Sequence, residues 1–141
     1  MAVEVKREEV WGAEMEDRPG ALAGKLQVLA DAGAQLEFVL ARRAPEKPGT
    51  GLVFVAPVRG AAQRNAAQRA GFARPADLHA IRVAGPDRTG MGAKLTQALA
   101  TKGINLRGLF AATIGRRFVA YFAMDTAQDA AKAARIIKQI R

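Results

Sequence analysis

Two stretches of the 141-residue sequence bring charged side chains and glycine close enough together to suggest chemistry. In one, Glu14, Glu16 and Asp17 run into Arg18-Pro19-Gly20; in the other, Gly85-Pro86-Asp87-Arg88-Thr89-Gly90 runs into Met91-Gly92. The second has the glycine spacing of a phosphate loop, but Met91-Gly92 stands where a Lys-Ser/Thr pair should hold phosphate and magnesium. Gly90-Met91-Gly92 also lacks the third glycine of a dinucleotide-binding turn. The carboxylates of the first stretch read as a strand end and a turn rather than as an acid–base pair. Other residue types supply no catalyst. The sequence has no cysteine and no serine, and His79 is its single histidine. Thiolate chemistry, disulfides, a serine triad and a two-histidine metal site are therefore excluded, and neither enzymatic activity nor a metal or cofactor is expected.

The elements that position these stretches repeat. Shifted by 70 residues, the sequence aligns on itself without a gap from Asp17 to Leu36 and from Asp87 to Leu106, with nine of twenty positions identical. A unit of about seventy residues is too long for a solenoid repeat. Each copy opens on a short strand rich in Val, Ile or Trp, Glu9 to Glu14 and Leu78 to Ala84. A helix follows, in which Leu22, Leu26, Leu29 and Gly33 share one face; Leu95, Leu99 and Gly103 are expected to repeat that face. Gly33 and Gly103 suit the helix stop. Two extended segments come next, Gln35 to Arg43 with Gly51 to Val58 and Asn105 to Ile114 with Arg117 to Met124. A tight Gly115-Arg116 turn joins the second pair and a longer loop, Ala44 to Thr50, the first. Alanine-rich helices, Ala61 to Ala70 and Ala127 to Ile140, close the copies, the last with Ala130, Ala133, Ile136, Ile137 and Ile140 near one face. The order β-α-β-β-α, with the fourth strand short or missing, predicts an α+β, ferredoxin-like fold: two units with helices on one face of antiparallel sheets, the sheets paired side by side. The copies span residues 1–74 and 75–141.

The sequence resembles a tandem ACT domain protein. The resemblance rests on Glu16-Asp17-Arg18-Pro19-Gly20-Ala21-Leu22 with Ala32-Gly33-Ala34-Gln35-Leu36, and on Gly85-Pro86-Asp87-Arg88-Thr89-Gly90 with Lys102-Gly103-Ile104-Asn105-Leu106. It covers nearly the whole chain, and the second copy is similar to the glycine-cleavage repressor type. It implies a non-catalytic regulatory protein that binds a free amino acid at the interface between paired ACT domains. Gly20 or Gly90 lets a ligand approach the backbone, the helix start can take a carboxylate, and Asp17 or Asp87 an ammonium. Two pseudo-equivalent sites are expected, one of Met15, Asp17, Gly20, Ala21 and Asn105, the other of Asp87, Gly90, Met91 and Gln35. Both aspartates also suit helix capping. Met15 and Asp17 stand where the serine-binding members of the family carry histidine and asparagine, and Gly92 adds a second glycine near the helix start. These departures point to an apolar or aromatic effector side chain rather than a serine-like one.

The formal charge is +9, and residues 71–141 hold twelve basic against four acidic side chains. That basic half supports an alternative, a nucleic-acid-binding or protein-binding regulator without a small-molecule effector. Phe110, Phe118, Tyr121 and Phe122 would then have to be exposed for stacking on RNA, yet their alternation buries some of them, so nucleic acid is disfavoured. The expected partners are an amino-acid effector, a protein and a second copy in a homodimer. Residues Met1 to Glu9 alternate charged and apolar side chains without the apolar centre of a secretory signal, and no apolar run is long enough to span a membrane, which favours the cytoplasm.

Overall fold

In the computed structural model, which describes residues 3–140, strands and helices follow in the order β1 (Glu4–Glu8), β2 (Trp11–Glu16), α1 (Ala21–Asp31), β3 (Phe38–Arg43), β4 (Thr50–Ala56), α2 (Gly60–Arg69), β5 (His79–Pro86), α3 (Met91–Thr101), β6 (Gly108–Ile114), β7 (Arg117–Met124) and α4 (Ala127–Lys138). Residues 1, 2 and 141, the outer ends of the two expected copies, lie outside that description. The contacts divide the chain into a first unit, Glu9–Pro75, and a second unit that starts at Ala76 and includes the N-terminal strand β1. The fold is α+β, with two antiparallel sheets and four helices among the described residues. Each sheet is confined to one unit.

The first unit's sheet has the order β2-β4-β3. Trp11, Ala13, Val53 and Val55 alternate towards the helices, as a half-buried sheet requires, and α1 lays Leu22, Leu26 and Leu29 on them. After α2 the chain returns beside β2 for a single bridge, Gly12 with Ala73, its two hydrogen bonds 2.8 and 2.9 Å long. The fourth strand is reduced to that one pair.

The second unit's sheet has the order β1-β5-β7-β6. Its fourth strand comes from the N-terminus. β1 runs antiparallel to β5 from Glu4 opposite Ala84 to Glu8 opposite Ala80, and Val3 and Val5 pack against the core. Residues 4–8, expected in the first copy, thus complete the second unit's sheet. The reason is chemical: the unpaired N–H and C=O groups along β5 need a partner, and the alternating residues of β1 supply one with valine on the core side. Ile81, Val83, Phe118, Ala120 and Phe122 form the inner face of this sheet, packed by α3 and by Ala130, Ala133 and Ile137 of α4. Thr126 caps α4, its hydroxyl accepting from the Asp129 N–H at 3.0 Å.

The helices α1 and α3 stop alike. In each, the glycine after the C-cap has positive φ, +85° at Gly33 and +75° at Gly103. The next residue donates back to the carbonyl of Leu29 or Leu99 at 3.0 Å, which is the Schellman arrangement. α3 buries Leu95 and Leu99, as expected, with Met91 against the same core, whereas α1 buries Leu29 with Leu22 and Leu26 half-buried beside it. Leu95 aligns with Lys25, whose ammonium reaches the Ala70 carbonyl at the end of α2. A leucine there must turn inward, a lysine outward, so the two helices present different sides to their sheets.

Candidate functional site

Each unit forms its turn in the same way. The strand ends, the chain crosses Asp-Arg-x-Gly, and the helix begins at a glycine in the left-handed region, φ +89° at Gly20 and +82° at Gly90. Only glycine enters that region without a Cβ penalty, so the turn explains both glycines. Each aspartate N–H is tied to the neighbouring hairpin: Asp17 donates to the Gly49 carbonyl at 3.1 Å, and Asp87 to the Arg116 carbonyl at 2.8 Å. Neither helix start has a side-chain cap. The capping role open to Asp17 and Asp87 is therefore not the one they play. Both are exposed, as are Gly20 and Gly90, while Met15, Ala21 and Met91 are half-buried.

What surrounds the turns differs. In the first unit the Asp17 carboxylate is paired with the Arg43 guanidinium from the end of β3 at 2.9 Å, and Arg18 is held by Glu16 at 2.5 Å. Met15 lies opposite Gly51 and contacts it closely; a Cβ on Gly51 would come within 3.2 Å of the Met15 methyl carbon. Leu22 and Met15 both pack on the first unit's core.

In the second unit the matching large–small pair is reversed. Gly85 lies opposite Phe118, whose ring would come within 3.3 Å of a Cβ on Gly85. The ladder positions that hold Arg42 and Arg43 in β3 hold Ala112 and Thr113 in β6. Gly92 stands where Leu22 stands in the other helix, and a Cβ built on it meets nothing within 4 Å. A cavity of about 240 Å³ lies between the start of α3, β6 and the inner face of β7, with Gly92 among its lining residues. Its floor is Leu95, Phe118, Ala120 and Phe122, all buried core residues. Asp87, Arg88 and Thr113 supply its polar groups. The volume is below the range of about 300–1,000 Å³ that holds drug-sized ligands, and suits a molecule the size of one amino acid.

Of the residues expected to bind, the structure gathers Asp87, Gly90 and Met91 around this cavity. Met15, Asp17, Gly20 and Ala21 lie at the first unit's turn, where Arg43 pairs with the aspartate. Gln35 and Asn105 take matching exposed places in the loops after α1 and α3, and Asn105 is not among the residues that line the cavity. The sequence reading missed Leu95, Phe118, Phe122 and Thr113 as lining residues. The available signal was the alignment of Gly92 with Leu22, and of Thr113 with Arg43. Among the described residues no group of three or more His, Asp or Glu side chains could hold a metal ion, and no helix is long and apolar enough to cross a membrane. Phe118, Tyr121 and Phe122 are buried, leaving Phe110, 39% exposed, as the accessible aromatic of the four.

The fold is shared with solved structures that include regulatory subunits of aspartate kinase. The chain is similar to protein BT0572 of Bacteroides thetaiotaomicron, with a TM-score of 0.76 and 14% identity over 93% of this chain and 88% of that one. It is also similar to the ligand-free regulatory subunit of aspartate kinase from Thermus thermophilus, with a TM-score of 0.67 and 19% identity over 99% and 96% of the two chains. The corresponding subunit from Thermus flavus gives 0.58 and 21% over the same shares. No family model matches the sequence, and no curated protein matches it significantly.

Proposed function

We propose that the chain is a tandem pair of ACT units acting as a non-catalytic regulator, and that it binds a free amino acid in the second unit. The cavity beside the Asp87–Gly92 turn carries this reading: it is amino-acid-sized, and charged groups of both signs, Asp87 and Arg88, stand at it. A zwitterion needs that pairing, with the carboxylate of Asp87 for its ammonium and a guanidinium for its carboxylate. The regulatory role is supported by structural neighbours that are regulatory subunits of aspartate kinase.

Regulation in this reading works through a protein partner. The outer strand β6 offers an edge with Leu109, Phe110 and Ile114 exposed, the last by 77%, and such an edge pairs readily with another chain. A homodimer is expected, and sedimentation equilibrium tests it; a monomer across the accessible concentrations removes that part of the reading. Thermal unfolding in the presence of each of the twenty amino acids tests the effector. A ligand present at about 100 times its dissociation constant adds roughly 2.7 kcal/mol to stability. A rise with at least one amino acid is expected, and no rise with any of them overturns the proposal.

A further inference from the structure

The walls of the cavity say more about the ligand than its size does. Below Asp87, Arg88 and Thr113 every side chain lining it is apolar, and the floor of Leu95, Phe118, Ala120 and Phe122 belongs to the hydrophobic core. No buried polar or charged residue occurs among the described residues. A ligand group entering that floor leaves water and finds no hydrogen-bond partner, which is costly for an amide or hydroxyl and far more so for a charge. An aliphatic, thioether or aromatic group loses nothing there and gains contact.

The opening to this floor depends on one residue. Leu22, at the aligned position of α1, packs on its core; Gly92 lines the cavity and has nothing within 4 Å of where its Cβ would be. Its φ is not in the left-handed region, so the turn does not require glycine there, in contrast to Gly90. A helix position held by glycine without a conformational need is disfavoured relative to alanine, and the room it leaves is a compensating use.

Resting on the amino-acid reading above, we propose that Gly92 opens an apolar side-chain subsite, and that the effector is an amino acid with an aliphatic, thioether or aromatic side chain. The backbone ammonium and carboxylate of the ligand stay at Asp87 and Arg88, and its side chain points at Phe118 and Phe122. Leucine, methionine and phenylalanine are then ligands, and aspartate, lysine and threonine bind at least tenfold more weakly.

Isothermal titration of the full chain with these six amino acids tests the selectivity, and the variants Gly92→Ala and Gly92→Leu test the subsite. Gly92→Leu should weaken leucine binding at least tenfold while its melting temperature is kept or raised, and Gly92→Ala should weaken it less. Tighter binding of aspartate, lysine or threonine overturns the apolar subsite and leaves the amino-acid reading standing. Unchanged leucine affinity in a folded Gly92→Leu protein removes Gly92 and the cavity from the site. Absence of binding by every amino acid defeats the functional reading itself, and the subsite with it.

Discussion

The two units share a strand–turn–helix framework down to the hydrogen bond that ties each aspartate to its hairpin, yet the side chains around the two turns differ. In the first, Leu22 and Met15 pack on the core and Arg43 pairs with Asp17. In the second, Gly92 and Thr113 stand in place of Leu22 and Arg43, and about 240 Å³ is left. The difference teaches that the Asp-Arg-x-Gly turn alone does not make a site. The turn needs glycine for its backbone; whether a ligand fits is decided by two or three side chains around it.

The largest test of this contrast lies in the floors. Phe122→Ala should destabilise the second unit by about 3–5 kcal/mol, because a fully buried aromatic leaves a void in packed surroundings. The matching Val55→Ala in the first unit removes less volume and should cost less. Hydrogen exchange resolved by segment checks this, and equal losses in both units would contradict the different packing described. Next, Leu22→Gly should cost about 3 kcal/mol, combining lost packing with glycine inside a helix. Amide protection should fall over α1 and remain over α3. A loss of protection spread evenly over both helices would show that the units are not independent at this point.

Removing residues 1–8 should destabilise the second unit by about 2 kcal/mol through the lost burial of Val3 and Val5, and should expose the amides of β5. Faster exchange in β5 with β2 unchanged is the expected pattern; faster exchange in β2 alone would place β1 with the wrong unit. The smallest effect belongs to Arg43→Ala. The Arg43 side chain is 81% exposed, so the pair with Asp17 contributes at most about 1 kcal/mol, and the difference from the parent protein should vanish in high salt. A larger loss that persists at 1 M salt would mean that more than surface electrostatics ties Arg43 to the turn.

Much of the fold was legible because it is written locally. Gly33 and Gly103 mark helix ends for the conformational reason the structure shows, and Gly115 turns the β6–β7 hairpin with φ +63°. The apolar face of α4 follows from the spacing of Ala130, Ala133 and Ile137. β1 was missed. Its alternation of charged and apolar residues suits a strand, but nothing local says that it pairs with a strand more than seventy residues away. The buried face of α3 was legible from Leu95 and Leu99; what the repeat does not show is that Lys25, aligned with Leu95, reaches the Ala70 carbonyl instead.

The candidate site divides in the same manner. Asp87, Gly90 and Met91 could be singled out from the repeat, since a turn is a short-range object whose residue types follow from backbone geometry. The floor could not. Leu95 comes from α3 and Phe118 and Phe122 from β7, and they meet only when α3 packs on the sheet. By itself, then, the sequence determined a duplicated α+β unit, its turns and its helix stops, and the absence of cysteine, serine and a second histidine. Tertiary structure decided which unit β1 completes and which side chains gather around the Asp87–Gly92 turn, because both depend on packing between residues distant in sequence.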